Sequence, residues 1–354
     1  MRKNLCLLGS FCFALAGCVD QSSSGANDSS LSAERILSTF QTELDAPSDN
    51  NAAADKADHS QLSPPDDWLP LIDPLDLPNG VITIAGSDTL SPVTIDLADS
   101  FYDDGYVGMF SISQSSTGTG MRAMCRGEGV DIVNASRPIS ASERALCAQN
   151  GIKPIMFKVG YDPFVLLTHP SNTWLKSVRR AELPALFKAE NWSEFNQAAP
   201  NVPIQFHVPS QDSGAMRAML EYVFGTVNVD YDTVFKGAEF YSFNLELTRD
   251  LAKDPHALGF ASYGKILQLK QLKTNIIPID GYSPVESGAA YPVKRSLYLY
   301  THQAAFEKPE VQSFVAYYYN NTYRVMPELG FAPIEGAEAA SRRRAYQALT
   351  PPVD

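Results

Sequence analysis

Hydroxyl side chains and glycines alternate in Ser113-Gln114-Ser115-Ser116-Thr117-Gly118-Thr119-Gly120, just before a predicted helix beginning Met121-Arg122-Ala123-Met124. Small residues let the backbone turn tightly and bring several N–H groups towards one point, and a helix start adds its own unpaired N–H groups. That is chemistry for holding a small oxyanion. A second loop of this kind, Gly86-Ser87-Asp88-Thr89-Leu90-Ser91, follows the strand-like run Val81-Ile82-Thr83-Ile84. A third, Ser210-Gln211-Asp212-Ser213-Gly214, precedes Ala215-Met216-Arg217-Ala218. Each alone is compatible with an ordinary helix cap, but three, each between a strand and a helix, point to one anion site. Arg137 follows the run Asp131-Ile132-Val133-Asn134-Ala135-Ser136, and its planar fork matches two oxygens of a tetrahedral anion. Thr89, Thr117 and Ser213 each offer one neutral hydroxyl donor. Arg217, one helical turn beyond Ser213, faces either the cleft or solvent.

The elements that must position these residues alternate from residue 80 onward. Strands are expected over 81–85, 107–112, 131–135, 155–159, 164–168, 204–208, 257–261 and 276–279, with another through Val293, Leu297 and Leu299. Helices are expected over 92–101, 121–126, 140–149, 182–187, 215–223, 244–253, 308–318 and 337–348, with a helical turn over 264–269. Ser140-Ala141-Ser142-Glu143 has the spacing of a capping box. Such alternation predicts an α/β sheet with binding at the carboxyl ends of its strands. A body from about 80 to 345 is more comfortable as two lobes than as one. Tyr317-Tyr318-Tyr319 reads as packing rather than as a platform for stacked bases.

The N-terminus reads as an export signal over residues 1–17: basic Met1-Arg2-Lys3, a short apolar core, and Leu15-Ala16-Gly17-Cys18. That ending resembles the lipobox of bacterial lipoproteins, which implies cleavage before Cys18 and lipidation of that cysteine. Residues 18–79 then read as a flexible tether, serine-rich at first and acidic and short of large apolar residues from Asp45 to Asp67. Cys6 and Cys12 leave with the signal, so Cys125 and Cys147 are an even pair in a chain bound for an oxidising compartment. One disulfide is expected. No Cys or His spacing suggests a zinc site, and no cofactor is implied. The net charge of -12 argues against nucleic acid or an anionic membrane surface as partner.

From about Val81 to Pro333 the chain resembles the high-affinity phosphate-binding proteins of bacterial ABC transporters, type II periplasmic binding proteins. The resemblance rests on Gly86-Ser87-Asp88-Thr89, Ser116-Thr117-Gly118-Thr119-Gly120, Asp131 through Pro138, Ser213-Gly214, Ala257-Leu258-Gly259-Phe260 and Tyr291-Pro292-Val293-Lys294-Arg295. It implies two α/β lobes joined by crossing hinge strands: residues 80–163 and 289–345 in the first lobe, 164–288 in the second. It also implies ligand contacts from Thr89, the Leu90 N–H, Thr117, Arg137, Ser213 and Gly214. Ser87, Asp88, Ser116, Gly118, Thr119, Ser136 and Arg217 are further candidates. Two departures stand out: Pro209 replaces an arginine four residues before Ser-Gly in many relatives, and Ala215 replaces a threonine after it. Arg137 is the expected substitute for that arginine, and Asp88 and Asp131 are candidates to accept a ligand proton.

The resemblance implies a monomeric, lipid-anchored protein on the periplasmic side of the cell envelope, handing inorganic phosphate to an ABC permease. Alternatives are a carrier of another tetrahedral oxyanion, a surface or adhesion protein that keeps the fold, and a phosphate-ester hydrolase. A hydrolase would need a nucleophile with an activating base or a metal pair. His59, His169, His207, His256 and His302 are scattered, and none lies in an oxyanion loop. No enzymatic activity is expected.

Overall fold

The computed structural model describes Leu69 and residues 71–269, 273–284 and 288–349. The expected export signal, Cys18 and the tether as far as residue 68 lie outside the described residues. Strand β1 (Val81–Ser87) opens the body with β-branched residues, and Ile82 and Ile84 are fully buried. Helix α1 (Ser91–Asp103) takes Pro92 in its first turn and buries Val93, Leu97 and Phe101 along one side. Strand β2 (Met109–Ser115), helix α2 (Thr117–Cys125), strand β3 (Ile132–Ala135) and helix α3 (Ala141–Gln149) follow. Strand β4 (Pro154–Thr168) then crosses to a second group of elements. These are α4 (Leu183–Leu186), α5 (Trp192–Phe195), β5 (Gln205–Pro209), α6 (Gly214–Phe224), β6 (Glu239–Tyr241) and α7 (Asn244–Leu251). The group ends with β7 (Ala257–Ser262), α8 (Tyr263–Leu267) and β8 (Asn275–Ile277). The chain returns through β9 (Lys294–His302), α9 (Gln303–Phe306), α10 (Pro309–Glu328), β10 (Ala332–Pro333) and α11 (Gly336–Leu349).

The strand order β2-β1-β3-β9-β4-β7-β5-β6 shows how two lobes are built on one path. In the first lobe β1 lies parallel between β2 and β3, with Ile84 opposite both Ile112 and Ile132. In the second, β5 lies parallel between β6 and β7. Strand β4 belongs to both: Pro154 to Pro163 pair antiparallel with β9, and Phe164 to Thr168 with β7. The result is a two-lobed α/β fold of the type II periplasmic binding kind, with β4 and β9 crossing at the hinge. The first core gathers Phe101, Phe314 and Tyr318 between α1, α10 and the sheet. The second gathers Trp192, Phe206, Phe235 and Phe260.

Four departures from the sequence reading have physical causes. Helix α2 starts at Thr117 rather than 121, because Ser116 caps it by accepting the Thr119 N–H at 3.1 Å. Gly120 is therefore a packing residue: a Cβ there would lie 2.7 Å from the Gly86 Cα, so the glycine lets α2 press onto β1. The two strands expected over 155–159 and 164–168 are one, with a register shift between Lys158 and Gly160 that leaves Val159 as the extra residue while Gly160 stays paired with Leu297. Helix α10 runs well beyond residue 318, since Tyr318, Thr322, Val325 and Met326 continue its buried face. Finally, the end of the segment read as tether is packed down. Asn320 accepts the Leu69 N–H at 2.8 Å and donates to the Leu69 carbonyl at 2.9 Å, and Leu69 and Leu77 are buried.

Candidate functional site

The three hydroxyl-rich segments meet. One cavity of 990 Å³ is lined from the first lobe by Ser87, Asp88, Thr89, Ser116, Thr117, Gly118, Ser136 and Arg137. From the second it is lined by Ser213, Gly214 and Arg217, with Ser262 and Lys265 beside them and Arg295 from β9. Two expected residues stand apart from its lining. Leu90 is fully buried in the first core, and its N–H donates to the Ser87 carbonyl at 3.3 Å. Thr119 is exposed, with its hydroxyl 3.0 Å from that of Ser116.

Local hydrogen bonding engages the oxygen of each hydroxyl. Thr117 Oγ1 accepts the Ser136 N–H at 3.0 Å, and Ser213 Oγ accepts the Met216 N–H at 3.0 Å. Thr89 Oγ1 accepts from Arg295 Nη2 at 2.9 Å. Each hydroxyl oxygen thus already accepts one bond while its own hydrogen is free to rotate, so all three can donate to an anion in the cleft; Thr117 Oγ1 also lies 3.4 Å from the Ser136 hydroxyl. Helices α2 and α6 both begin at the cavity, so their first N–H groups and dipole ends add positive potential. The arrangement suits a small, multiply charged anion.

The cations differ from expectation. Arg137 lines the cavity, but its fork is taken: Nη1 donates to Glu143 Oε2 at 2.9 Å and Nη2 to Oε1 at 2.7 Å. A two-pronged grip on a ligand is therefore not how Arg137 is held here. Glu143 is also the N3 residue of the capping box on α3, accepting the Ser140 N–H at 2.8 Å. Burial alone would raise its carboxyl, but hydrogen bonds from Arg137 and Ser140 override this and hold it at about 2. Asp131, a candidate to accept a ligand proton, does not line the cavity. It sits at the opposite end of β3, accepting from the Thr83 N–H at 2.9 Å and from Lys308 Nζ at 2.7 Å. Asp88 is largely exposed and lies 3.5 Å from Lys265 Nζ, which also donates to the Asp88 carbonyl across the cleft at 3.3 Å. Arg217 lies at the cavity with an exposed side chain.

In the sequence, Arg295 is only the last residue of the Tyr291-Pro292-Val293-Lys294-Arg295 run and carries no expected role at the site. It stands on a hinge strand, donates through Nε to Asp162 Oδ2 at 3.0 Å, and reaches Thr89. Asp162 is completely buried and takes a second hydrogen bond from the Ser262 hydroxyl at 2.6 Å. Burial pushes the Asp162 carboxyl above its ordinary range, while Arg295 and Ser262 pull the other way. Beside the cleft, Cys125 of α2 and Cys147 of α3 are joined, with their Cα atoms 4.1 Å apart. Among the described residues no cluster of His, Cys, Asp or Glu could hold a metal, and no helix is long and apolar enough to cross a membrane.

Two lobes hinged on crossing strands, with a polar cleft between them, define a periplasmic-type solute-binding protein. The chain belongs to the PBP superfamily, whose domain model matches residues 46–322. It is 28% identical over 286 residues to "Protein SphX" of Synechococcus elongatus, covering 76% of this chain and 80% of that one. It is 22% identical over 272 residues to "Phosphate-binding protein PstS" of Staphylococcus aureus, covering 74% and 79%. Among solved structures, an ABC-type phosphate transport receptor from Vibrio cholerae superposes with a TM-score of 0.56 at 19% identity, covering 71% of this chain and 99% of that one. That last likeness speaks for the fold.

Proposed function

We propose that the protein binds inorganic phosphate between its lobes and delivers it to an ABC-type permease. The observation that carries this reading is the convergence of Thr89, Thr117 and Ser213, each with its oxygen already fed by another donor, on one cavity at the starts of two helices. The name of the Staphylococcus aureus relative supports the choice of ligand, and that of the Vibrio cholerae receptor the choice of pathway. Residues 80–163 with 289–345, and 164–288, act as the two lobes. Closure about β4 and β9 brings Thr89, Thr117 and Arg137 towards Ser213 and Gly214. Water leaves, and the ligand selects the closed state by contacting both lobes at once. The Cys18 lipid holds the monomer at the periplasmic side of the membrane, where the disulfide persists.

The test is calorimetric titration of the tag-free mature protein, unfolded and refolded to strip bound anion, with phosphate, sulfate, arsenate and molybdate. Tight phosphate binding with weak sulfate binding is the expected result. Tight binding of sulfate or molybdate instead would reassign the ligand, and binding of none would remove the transport reading.

A further inference from the structure

The arginine at the centre of the cleft is on the hinge, and it is supported on three sides. Arg295 is only 13% exposed, with Nε and Nη2 both on the buried Asp162 carboxylate, at 3.0 and 2.9 Å. Its guanidinium carbon lies 5.2 Å from the centre of the Phe164 ring, a stacking contact. Nη2 also donates to the Thr89 hydroxyl at 2.9 Å. The remaining nitrogen, Nη1, points at the second lobe and lies 3.1 Å from where a Cβ on Gly214 would be. Among the described residues none accepts a hydrogen bond from Nη1.

Resting on the phosphate reading above, we infer that Arg295 is the ligand-anchoring cation of the cleft, with Asp162 as its positioning residue. Thr89 and Arg295 then form one donor unit, because Thr89 Oγ1 accepts from Nη2 and keeps its own hydrogen to give to the ligand. Nη1 supplies the charge-assisted bond, and a guanidinium fixed by a carboxylate and a ring loses little freedom when it binds. The role expected of an arginine at position 209, which here is Pro209, is met from β9. Glycine at 214 leaves the room that Nη1 and an anion share beside the start of α6. Arg137, with both terminal nitrogens on Glu143, contributes potential from the wall and no fork. Because Arg295 touches the first lobe and faces the second, its bond to the ligand also reports closure.

The experiment compares wild type, Arg295→Gln, Arg295→Lys and Arg137→Gln by calorimetric titration with inorganic phosphate. Circular dichroism and urea unfolding without ligand serve as the measure of folding. Losing a buried charged donor should weaken Arg295→Gln about 100-fold, whereas Arg137→Gln should lose less than about tenfold. Arg295→Lys keeps a cation for Asp162, and so the fold, but lacks the fork; about tenfold weaker binding is expected. A purely structural arginine would lower the urea midpoint and leave the affinity of the folded Lys variant at the wild-type value, which overturns the inference. So does a folded Arg295→Gln protein within threefold of wild type, or a larger loss in Arg137→Gln than in Arg295→Gln. In each of those cases wild type still binds phosphate and the proposed function stands. A wild type that binds none of the four anions removes both.

Discussion

Replacing Glu143 tests whether one carboxylate really serves both the cleft wall and the helix behind it. Its carboxyl is held at about 2 in the folded protein against an ordinary value of 4.5. That lowering corresponds to about 3 kcal/mol at roughly 1.4 kcal/mol per pH unit. Arg137 is 38% exposed, so solvent screening reduces the pair's worth to about 1–2 kcal/mol. Glu143→Gln keeps the reach to the Ser140 N–H and should lose only this part. Glu143→Ala also leaves that N–H without its acceptor, for a total of about 2–3 kcal/mol. The folded value is depressed, so the stabilisation is fully present above pH 4.5 and fades as pH falls towards about 2. Urea unfolding of wild type and Glu143→Gln at pH 7, 5 and 3.5, without phosphate, should show a gap that is constant between the first two and narrows at the third. A gap that does not change with pH, or none at pH 7, would refute the ionic account.

Three further perturbations separate the cleft from its scaffold. Alkylation of the exported protein without reduction should label neither Cys125 nor Cys147, and Cys125→Ser with Cys147→Ser should destabilise it. The bridge spans 22 residues, for which the loss is about 3 kcal/mol, read as a lower urea midpoint. Gly120→Ala would drive a methyl to 2.7 Å from the Gly86 Cα, prying α2 off β1; lower stability and weaker phosphate binding should appear together. Thr117→Val removes one donor from the cleft and the acceptor of the Ser136 N–H, and should weaken binding by about 1–2 kcal/mol, while Thr117→Ser, which keeps both, stays close to wild type by titration.

Much of this was legible in residues 81–143. The β1 strand, the periodic face of α1 and the Ser140 capping box are local signals, written within one turn or one strand. The convergence of the three hydroxyl-rich segments was also readable, because strand-to-helix junctions in an α/β sheet share one edge. Elsewhere tertiary contact decides the structure. Glycines at 118 and 120 look like loop residues, yet Ser116 caps a helix through them and β1 needs the second of them small. Pro163 and Gly160 look like a break, yet pairing with β9 carries β4 through. Tyr319-Asn320-Asn321 looks like a helix end, yet Asn320 has a partner in Leu69, 251 residues away.

The cations show the same limit more sharply, because an ion pair joins residues that composition cannot connect. Arg137 advertises itself, standing next to a strand and an oxyanion loop, but Glu143 six residues later fixes its fork. Nothing near Arg295 suggests a binding role. Its partners are Asp162, 133 residues earlier, and Thr89, 206 residues earlier, and they meet only because β4 and β9 pair antiparallel across the hinge, with Asp162 opposite Arg295. That pairing does explain why a buried carboxylate sits there at all. Uncompensated, Asp162 would be a costly group inside the protein, and in isolation the ion pair would add little stability over an apolar pair. Its value is directional: the buried end fixes the guanidinium on a strand shared by both lobes, leaving the other end facing the cleft. A site built this way can do without an arginine at position 209, since its charge is delivered from the hinge.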